Sequence, residues 1–350
     1  MAKKEAKKET KKNGTGSDDI KKTKIRLGSR DIFETGLSFE KPVLELEKKI
    51  NELRASTSHS IDLSGEIKSA ERKLEKALKE IFDHLTPWQR VQVARHPLRP
   101  YTLDYVKYLT KDFIEIHGDR HFSDDHALIT GFAKWEEKQP VCIIGHQKGR
   151  DTKENLLRSF GSAHPEGYRK AIRVMRLAEK FGVPILCFID TPGAYPGIGA
   201  EERGQAEAIA YNLREMGELT VPIIVVVIGE GGSGGALGIG VGDRIYILEN
   251  AYYSVISPEG CAAILWKDSS RSPDAAHALK LTAQDLLRLE VIDGIIPEPL
   301  GGAHRDFETT AENIRKTVDQ ALQELKGIPR KELPQLRYQK FRKMGMVATK

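Results

Sequence analysis

The sequence is short of cysteine. Cys142, Cys187 and Cys261 stand far apart in 350 residues, with no spacing that would hold zinc. Two of them lie inside apolar runs, VCIIG and PILCFID, the placement of reduced core thiols in a cytosolic protein. No apolar run reaches the roughly 18 uncharged residues of a membrane span. The start, MAKKEAKKETKKNGTGSDDIKKTK, has positive charge but no apolar stretch after it, so it does not read as a secretory signal. It is Lys/Glu-rich, which also argues against an organellar transit peptide. A broad basic surface is missing as well. Residues 1–24 carry nine Lys against four acidic residues, and residues 326–350 carry eight basic residues against one acidic; with a net charge of +5, the middle of the chain is left at −7. An acidic body argues against tracking a phosphate backbone and against nucleic acid as the main partner. The expectation is a soluble, cytoplasmic globular protein with a disordered Lys-rich tail over residues 1–30 and a basic tail over 326–350, loosely held beyond Gly327.

What is present is strongly patterned. Val43, Leu46, Ile50 and Leu53 recur at helical spacing, as do Ile67, Leu74, Ala77 and Ile81, with the polar break RASTSHSIDLSG between them. Each run covers about two heptads, which predicts a helical hairpin packed on the body. Thr86 and Pro87 open a further helix in TPWQRVQVARHP, and Thr102 is expected to cap another that runs through Leu109. Residues 31–110 therefore read as a structural helical layer. From residue 111 to 325 strands and helices alternate. ALITGFAKW and PVCIIGHQKG form a hairpin across EEKQ; then come helix 165–181, strand VPILCFID, helix 201–216, strand VPIIVVVI, strand RIYILE, YYSVIS, helix 258–266 and a closing helix over 306–325. Apolar strands between amphipathic helices predict an α/β domain with a largely parallel sheet, whose functional loops follow the carboxyl ends of strands.

One such loop, IGEGGSGGALGIGVGD (residues 228–243), matches several motifs. Gly229, Gly231 and Gly234 spell a dinucleotide-binding turn, and Gly231, Ser233 and Gly235 spell a nucleophile elbow. The dinucleotide reading is weakened by the short following helix, in which Gly238, Gly240 and Gly242 each cost about 1 kcal/mol. The nucleophile reading needs Ser233 to find an acid and a base, with Asp285 or Asp293 and His304 as candidates of a kind that most chains contain. Tight helix–strand packing accounts for Gly238, Gly240 and Gly242 but not for Gly231, Gly232, Gly234 and Gly235. Those four suit a loop that offers bare amides to an oxyanion. A second glycine loop, DTPGAYPGIGAEERGQ, follows the preceding strand and would open on the same sheet edge.

These two loops, together with YYSVISPEGCAAILW and GHQKGRDTKENLLRSFGSAHPEGYRKAIRVMRLAEKFGVPI, resemble the carboxyltransferase alpha subunits of multisubunit acetyl-CoA carboxylase, over about residues 38–325. The resemblance implies a crotonase-like (ClpP/crotonase) spiral α/β fold behind an N-terminal helical hairpin layer. It implies transfer of a carboxyl group from carboxybiotin, borne by the biotin carboxyl carrier protein, to acetyl-CoA, giving malonyl-CoA for fatty acid synthesis. Partners implied are a zinc-bearing beta subunit on the CoA side, as an alpha2-beta2 heterotetramer, and biotin carboxylase; no metal is expected in this chain. Biotin is bound but not covalently attached here. By the same resemblance the oxyanion donors are the amides of Gly234 and Gly235, with Ala236 the alternative second donor. Gly231, Gly232 and Ser233 border the biotin pocket, walled by Gly193, Ala194, Tyr195, Pro196 and Gly197, with Tyr195 packing rather than reacting.

Other side chains read two ways. Lys148 and Arg150 suit either an anionic substrate or a solvated loop. His146 and His164 suit structural polar contacts, and Asp190, Glu201 and Glu202 suit loop and helix caps. Ser257, Pro258 and Glu259 read as a helix start that could border the active site. Two other functions compete: a single-chain acyl-CoA hydratase or decarboxylase of the same fold, and an accessory nucleic-acid-binding role for the basic ends.

Overall fold

The computed structural model describes residues 35–56, 62–136 and 139–345. The tail expected over residues 1–30, the middle of the hairpin break, two residues of the EEKQ turn and the last five residues lie outside these. The expected helical hairpin is present as α1 (Lys41–Ser56) and α2 (Ser64–Phe82), packed on each other. Its buried residues are few, Val43 and Ile50 in α1 and Ala70 and Phe82 in α2, as suits a layer with one dry side. Helix α3 (Pro87–Ala94) starts with a reciprocal cap: the Thr86 hydroxyl accepts the Gln89 amide at 3.2 Å while the Gln89 side chain accepts the Thr86 amide at 2.8 Å. Helix α4 (Thr102–Leu109) corrects an expectation. Thr102 is its first residue and not its cap, because the buried hydroxyl donates instead to the His146 carbonyl at a strand end.

One sheet of eight strands forms the centre: β1 (Thr110–Glu115), β2 (Leu128–Trp135), β3 (Gln139–His146), β4 (Ile185–Thr191), β5 (Ile223–Gly232), β6 (Arg244–Leu248), β7 (Tyr252–Ser254) and β8 (Gly294–Ile296). Its order is β1-β2-β3-β4-β5-β6-β8, with β7 paired to β5. β1, β2 and β3 pair antiparallel and the rest parallel. β4 and β5 are buried along their whole length, which is why they read as unbroken apolar runs. β1 escaped the sequence reading because TKDFIE is polar and lies on the sheet edge, half-exposed.

The connecting helices are α5 (Thr152–Leu157), α6 (Pro165–Phe181), α7 (Ile198–Glu202), α8 (Gln205–Glu218), α9 (Ser233–Leu237), α10 (Pro258–Trp266), α11 (Ser272–Leu279), α12 (Ala283–Arg288) and α13 (Phe307–Lys326). The single helix expected over 201–216 is two. Gly204 stands between α7 and α8 with φ 82°, a left-handed conformation that stops one helix and redirects the chain into the next.

A second correction concerns the C-terminal segment. Beyond Gly327 the chain forms α14 (Leu333–Lys343), and Arg337 on it is only 1% exposed. Its Nε and Nη2 donate to the two carboxylate oxygens of Asp243, at 3.0 and 2.9 Å, and its Nη1 donates to the carbonyls of Met216 and Leu219. Basic composition suggested a solvated run; a buried carboxylate at the start of β6 makes one of those cations a structural bolt.

The hairpin layer meets the body at Glu40, His96 and His304, all buried. The imidazoles stack with centroids 3.9 Å apart and planes 18° apart. His96 Nδ1 also accepts the Leu98 amide, which leaves the proton on Nε2. This is a buried polar joint between the hairpin layer and the body. Burial, reinforced by His304, pushes His96 down to about 3, and burial lowers His304 as well. Burial and the Lys148 charge push His146 down to about 3. His96 and His146 bind protons in the unfolded chain below pH 6.5 but not in the folded one until near pH 3, and His304 is shifted in the same direction. Stability is therefore expected to fall with acidification across that window, by up to about 1.4 kcal/mol per pH unit for each such group. Thermal melts between pH 7 and pH 5 check this; a melting temperature that is flat or rising on acidification contradicts it.

Candidate active site

The two glycine loops do meet. β5 pairs with β4 in register from Ile185↔Ile223 to Ile189↔Val227, then slips, with Thr191 next opposite Gly231. At the slip β5 leaves β6, which it pairs over 224–227, and takes β7 as its partner at Glu230, Gly231 and Gly232. The backbone groups freed there find side chains: the Arg99 Nε donates to the Ile228 carbonyl at 2.7 Å, and Asp190 Oδ1 accepts the Glu230 amide at 3.0 Å. The strand end carrying Gly231 and Gly232 is thereby turned against the loop after β4.

Contact between the loops is backbone to backbone. A Cβ on Gly232 would lie 2.2 Å from the Pro192 carbonyl oxygen, and one on Gly235 would lie 2.4 Å from the Ala194 nitrogen. Only glycine permits this approach. Ser233 sits at the corner with φ 55°, a left-handed conformation uncommon outside glycine, and begins α9. With Gly232 as N-cap, the amides of Ser233, Gly234 and Gly235 have no intrahelical acceptor, and Ala236 is the first that does. Gly238, Gly240 and Gly242 abut Tyr168, Tyr253 and β5 respectively, in keeping with tight packing.

The β4 loop is fixed from several sides. The Thr191 hydroxyl accepts the Gly193 amide and donates to the Gly193 carbonyl, closing a small turn. The Tyr195 amide donates to the Ala163 carbonyl, and Gln205 Nε2 donates to the carbonyls of Ala163 and Tyr195. The Tyr195 ring stacks on His164 at 4.0 Å and covers Gly197, whose added Cβ would lie 2.4 Å from the ring. Pro196 is exposed beside it. Thus residues 193–197 form one fixed loop, which Gly232 meets at Pro192, Ser233 at Gly193 and Gly235 at Gly193 and Ala194, while Gly231 lies on Tyr253 and Gly234 near Ile209. Ser233 has no assembled triad among the described residues. Its candidate partners are engaged elsewhere, His304 against His96, Asp293 with Lys340 and the Ile245 amide, and Asp285 at the Thr282 cap and with Arg288.

Lys148 and Arg150 turn inward. Arg150 donates to the carbonyls of Pro97 and Arg99, pairs with Asp104 and lies over the Tyr101 ring. Lys148 lies 2.7 Å from Asp190 Oδ1 and 2.8 Å from Glu230 Oε1. Asp190, expected as a loop or helix cap, accepts the Glu230 amide and caps no helix, and it is also one arm of a buried ion-pair cluster. Burial alone would raise the Glu230 carboxyl, yet Lys148 and Arg95 outweigh it and hold it at about 2. Arg95 Nε donates to Glu230 at 2.7 Å, and its other nitrogens reach Glu259 and the Tyr252 hydroxyl. A cavity of about 240 Å³ opens on this cluster, lined by Arg95, Tyr101, Lys148, Phe160, Pro192 and Glu230 among others. His146 lies buried beside the Gly235 and Phe188 carbonyls without meeting hydrogen-bond geometry. His164 stays at the loop surface, its amide on Asp125. Ser257 caps α10 through the Gly260 amide. Arg95, Arg99 and Glu230 were missed in the sequence, since nothing in a helical layer signals that its arginines reach a distant strand break.

Among solved structures, transcarboxylase 12S with methylmalonyl-coenzyme A bound is similar at a TM-score of 0.53 and 19% identity, over 65% of this chain and 42% of that one. A Pseudomonas malonate decarboxylase hetero-tetramer in complex with coenzyme A is similar at 0.51 and 16% identity, over 61% and 85%. The architecture is the crotonase-like fold of carboxyltransferases. A family model described as acetyl co-enzyme A carboxylase carboxyltransferase-like matches residues 36–345. The acetyl-coenzyme A carboxylase carboxyl transferase subunits alpha of Geobacter metallireducens and Bacillus cytotoxicus are 60% and 59% identical over 312 and 313 residues, covering 89% of this chain and 98% and 96% of theirs. The chain belongs to the acetyl co-enzyme A carboxylase carboxyltransferase-like family. Among the described residues no helix is long and apolar enough to cross a membrane.

Proposed function

We propose that this chain is the alpha half of a biotin-dependent carboxyltransferase, which moves a carboxyl group from carboxybiotin on a carrier protein to acetyl-CoA and gives malonyl-CoA. The observation that carries the reading is the backbone-to-backbone contact of the two glycine loops, which leaves the first-turn amides of α9 without intrahelical acceptors beside a wall of small residues. The bound carboxybiotin supplies the carboxyl group and, once that is released, a ureido nitrogen able to take a proton from the acetyl methyl. The protein's own part is to hold and to orient. The Gly234 and Gly235 amides receive the ureido oxygen, and the limited freedom of Ala236, whose amide has the Gly232 carbonyl in reach, makes it the second choice. Gly193, Ala194, Pro196 and Gly197 wall the ring, and Tyr195 holds the loop by stacking. Donors fixed in advance in this way are each worth about 3 kcal/mol in the transition state.

In this reading the CoA side, with its zinc, belongs to a beta subunit in an alpha2-beta2 assembly, and the complex works in the cytoplasm. The test is reconstitution. Carboxyl transfer from malonyl-CoA to free biotin is expected only when this chain and a beta subunit are mixed; robust turnover by the isolated chain overturns the proposal and returns the single-chain acyl-CoA enzyme.

A further inference from the structure

We infer that Lys148 is the positioning residue of the amide site, a buried cation that ties the roots of the two glycine loops together and does not touch substrate. This rests on the function proposed above. Asp190 is the penultimate residue of β4 and Glu230 stands two residues before the end of β5, so each carries one loop within three residues of it. Both carboxylates are nearly sealed, with side chains 3% and 8% exposed, and Lys148 Nζ lies between them at 2.7 and 2.8 Å. They are joined a second time, because Asp190 Oδ1 also accepts the Glu230 amide at the point where the strand pairing slips. The closeness is built into the backbone: a Cβ on Gly229 would lie 2.5 Å from Asp190 Oδ1, and one on Gly161 would lie 2.8 Å from Lys148 Cγ. Gly161 follows Ser159 and Phe160 in a run of three left-handed residues that wraps the lysine stem.

The electrostatics decide what the lysine does. With Lys148 present, two buried acids face one cation, and Arg95 completes the neutralisation of Glu230 from the other side. With Lys148 removed, Asp190 keeps only its backbone contact, and two like charges press apart the strand ends that must hold Gly193 and Ala194 against Gly235. The damage then falls on the placement of the amides. Two of the three N–H bonds of the ammonium are already spent on the two carboxylates, which is the geometry of a clamp.

The experiment uses this chain assembled with the beta subunit, with malonyl-CoA as donor and free biotin as acceptor, and activity of the wild-type assembly first establishes the function itself. Lys148→Met is expected to lower kcat by about 100-fold, the scale of losing one oxyanion donor, with KM for malonyl-CoA within about twofold of wild type. Lys148→Met/Glu230→Gln, which removes the opposing charge together with the cation, is expected to regain at least about tenfold of that loss, the coupling that contacting charges show in a double-mutant cycle. Lys148→Arg is expected to regain activity in part. A raised KM with unchanged kcat, or a double variant no better than Lys148→Met, overturns the inference. Where Lys148→Met alone does not fold, the double variant and Lys148→Arg decide it, since activity in either supports the clamp and an inactive, folded assembly in both refutes it.

Discussion

Replacing Gly235 with valine is expected to abolish carboxyl transfer, with a loss in kcat of at least about 10³-fold, the upper range for disabling a preorganised oxyanion donor. The added Cβ would stand 2.4 Å from the Ala194 nitrogen and 2.6 Å from the Gly193 carbonyl carbon. Both are backbone atoms in a turn closed by the Thr191 hydroxyl, so neither can swing aside as a side-chain tip would. The loops must part, and the amides part with them. The fold should survive, because the strain falls at the loop contact while β4 and β5 remain paired below it. Ser233→Ala is the control and should keep activity within a few-fold, since no acid and base are assembled around the hydroxyl. Steady-state transfer assays on the assembly with its beta subunit, alongside circular dichroism, read both variants. A Gly235→Val enzyme with more than a tenth of wild-type activity, or a dead Ser233→Ala enzyme, would contradict the amide site.

Arg337→Ala should produce the largest loss of stability. The substitution removes a guanidinium 1% exposed and leaves Asp243 buried together with the carbonyls of Met216 and Leu219. Asp243 Oδ2 also accepts the Ile223 amide at 2.8 Å, so the disturbance reaches the first residue of the central strand. Breaking a buried pair from one side costs about 3–5 kcal/mol, which for a chain of this size lowers the melting temperature by roughly 4–7 °C. Arg337→Lys should recover little, because an ammonium cannot span a carboxylate and the carbonyls together. Thermal denaturation at pH 7 checks both, and a shift under 3 °C for the alanine variant would mean that α14 is dispensable.

Local signals in the sequence were read correctly where local physics decides the outcome. The helix 165–181 begins with Pro165 and ends at a glycine with φ 68°, as its composition indicates, and Thr86 and Ser257 both cap helices through their hydroxyls. β4 and β5 were visible because burial on both faces leaves them apolar throughout. The two glycine loops were visible as backbone-rich segments at strand ends, and their adjacency follows from β4 pairing with β5. Long-range partners were the part that stayed hidden. Nothing near Arg337 foretells Asp243, nothing near Lys148 foretells Asp190 and Glu230, and a polar edge strand such as β1 has no apolar alternation to announce it. Charge runs misled for the same reason, since composition records how many cations a segment has and not which one finds a buried acid.

The reach of Arg95 and Arg99 has a practical meaning for anyone dividing this chain. Sequence places a boundary near residue 110, between helices and sheet, but the arginines that brace the slip in β5 lie before it. Arg99 also pairs at 2.5 Å with Glu298, a carboxylate that accepts the Asn250 and Ala303 amides. A fragment starting at residue 111 would expose Glu230, Glu298 and the Ile228 carbonyl at once, and would lose the brace of the strand slip beneath the two glycine loops along with a surface layer. The unit that can be transplanted, trimmed or fused runs from the hairpin to α14, and the seam visible in the composition is not one along which the enzyme comes apart.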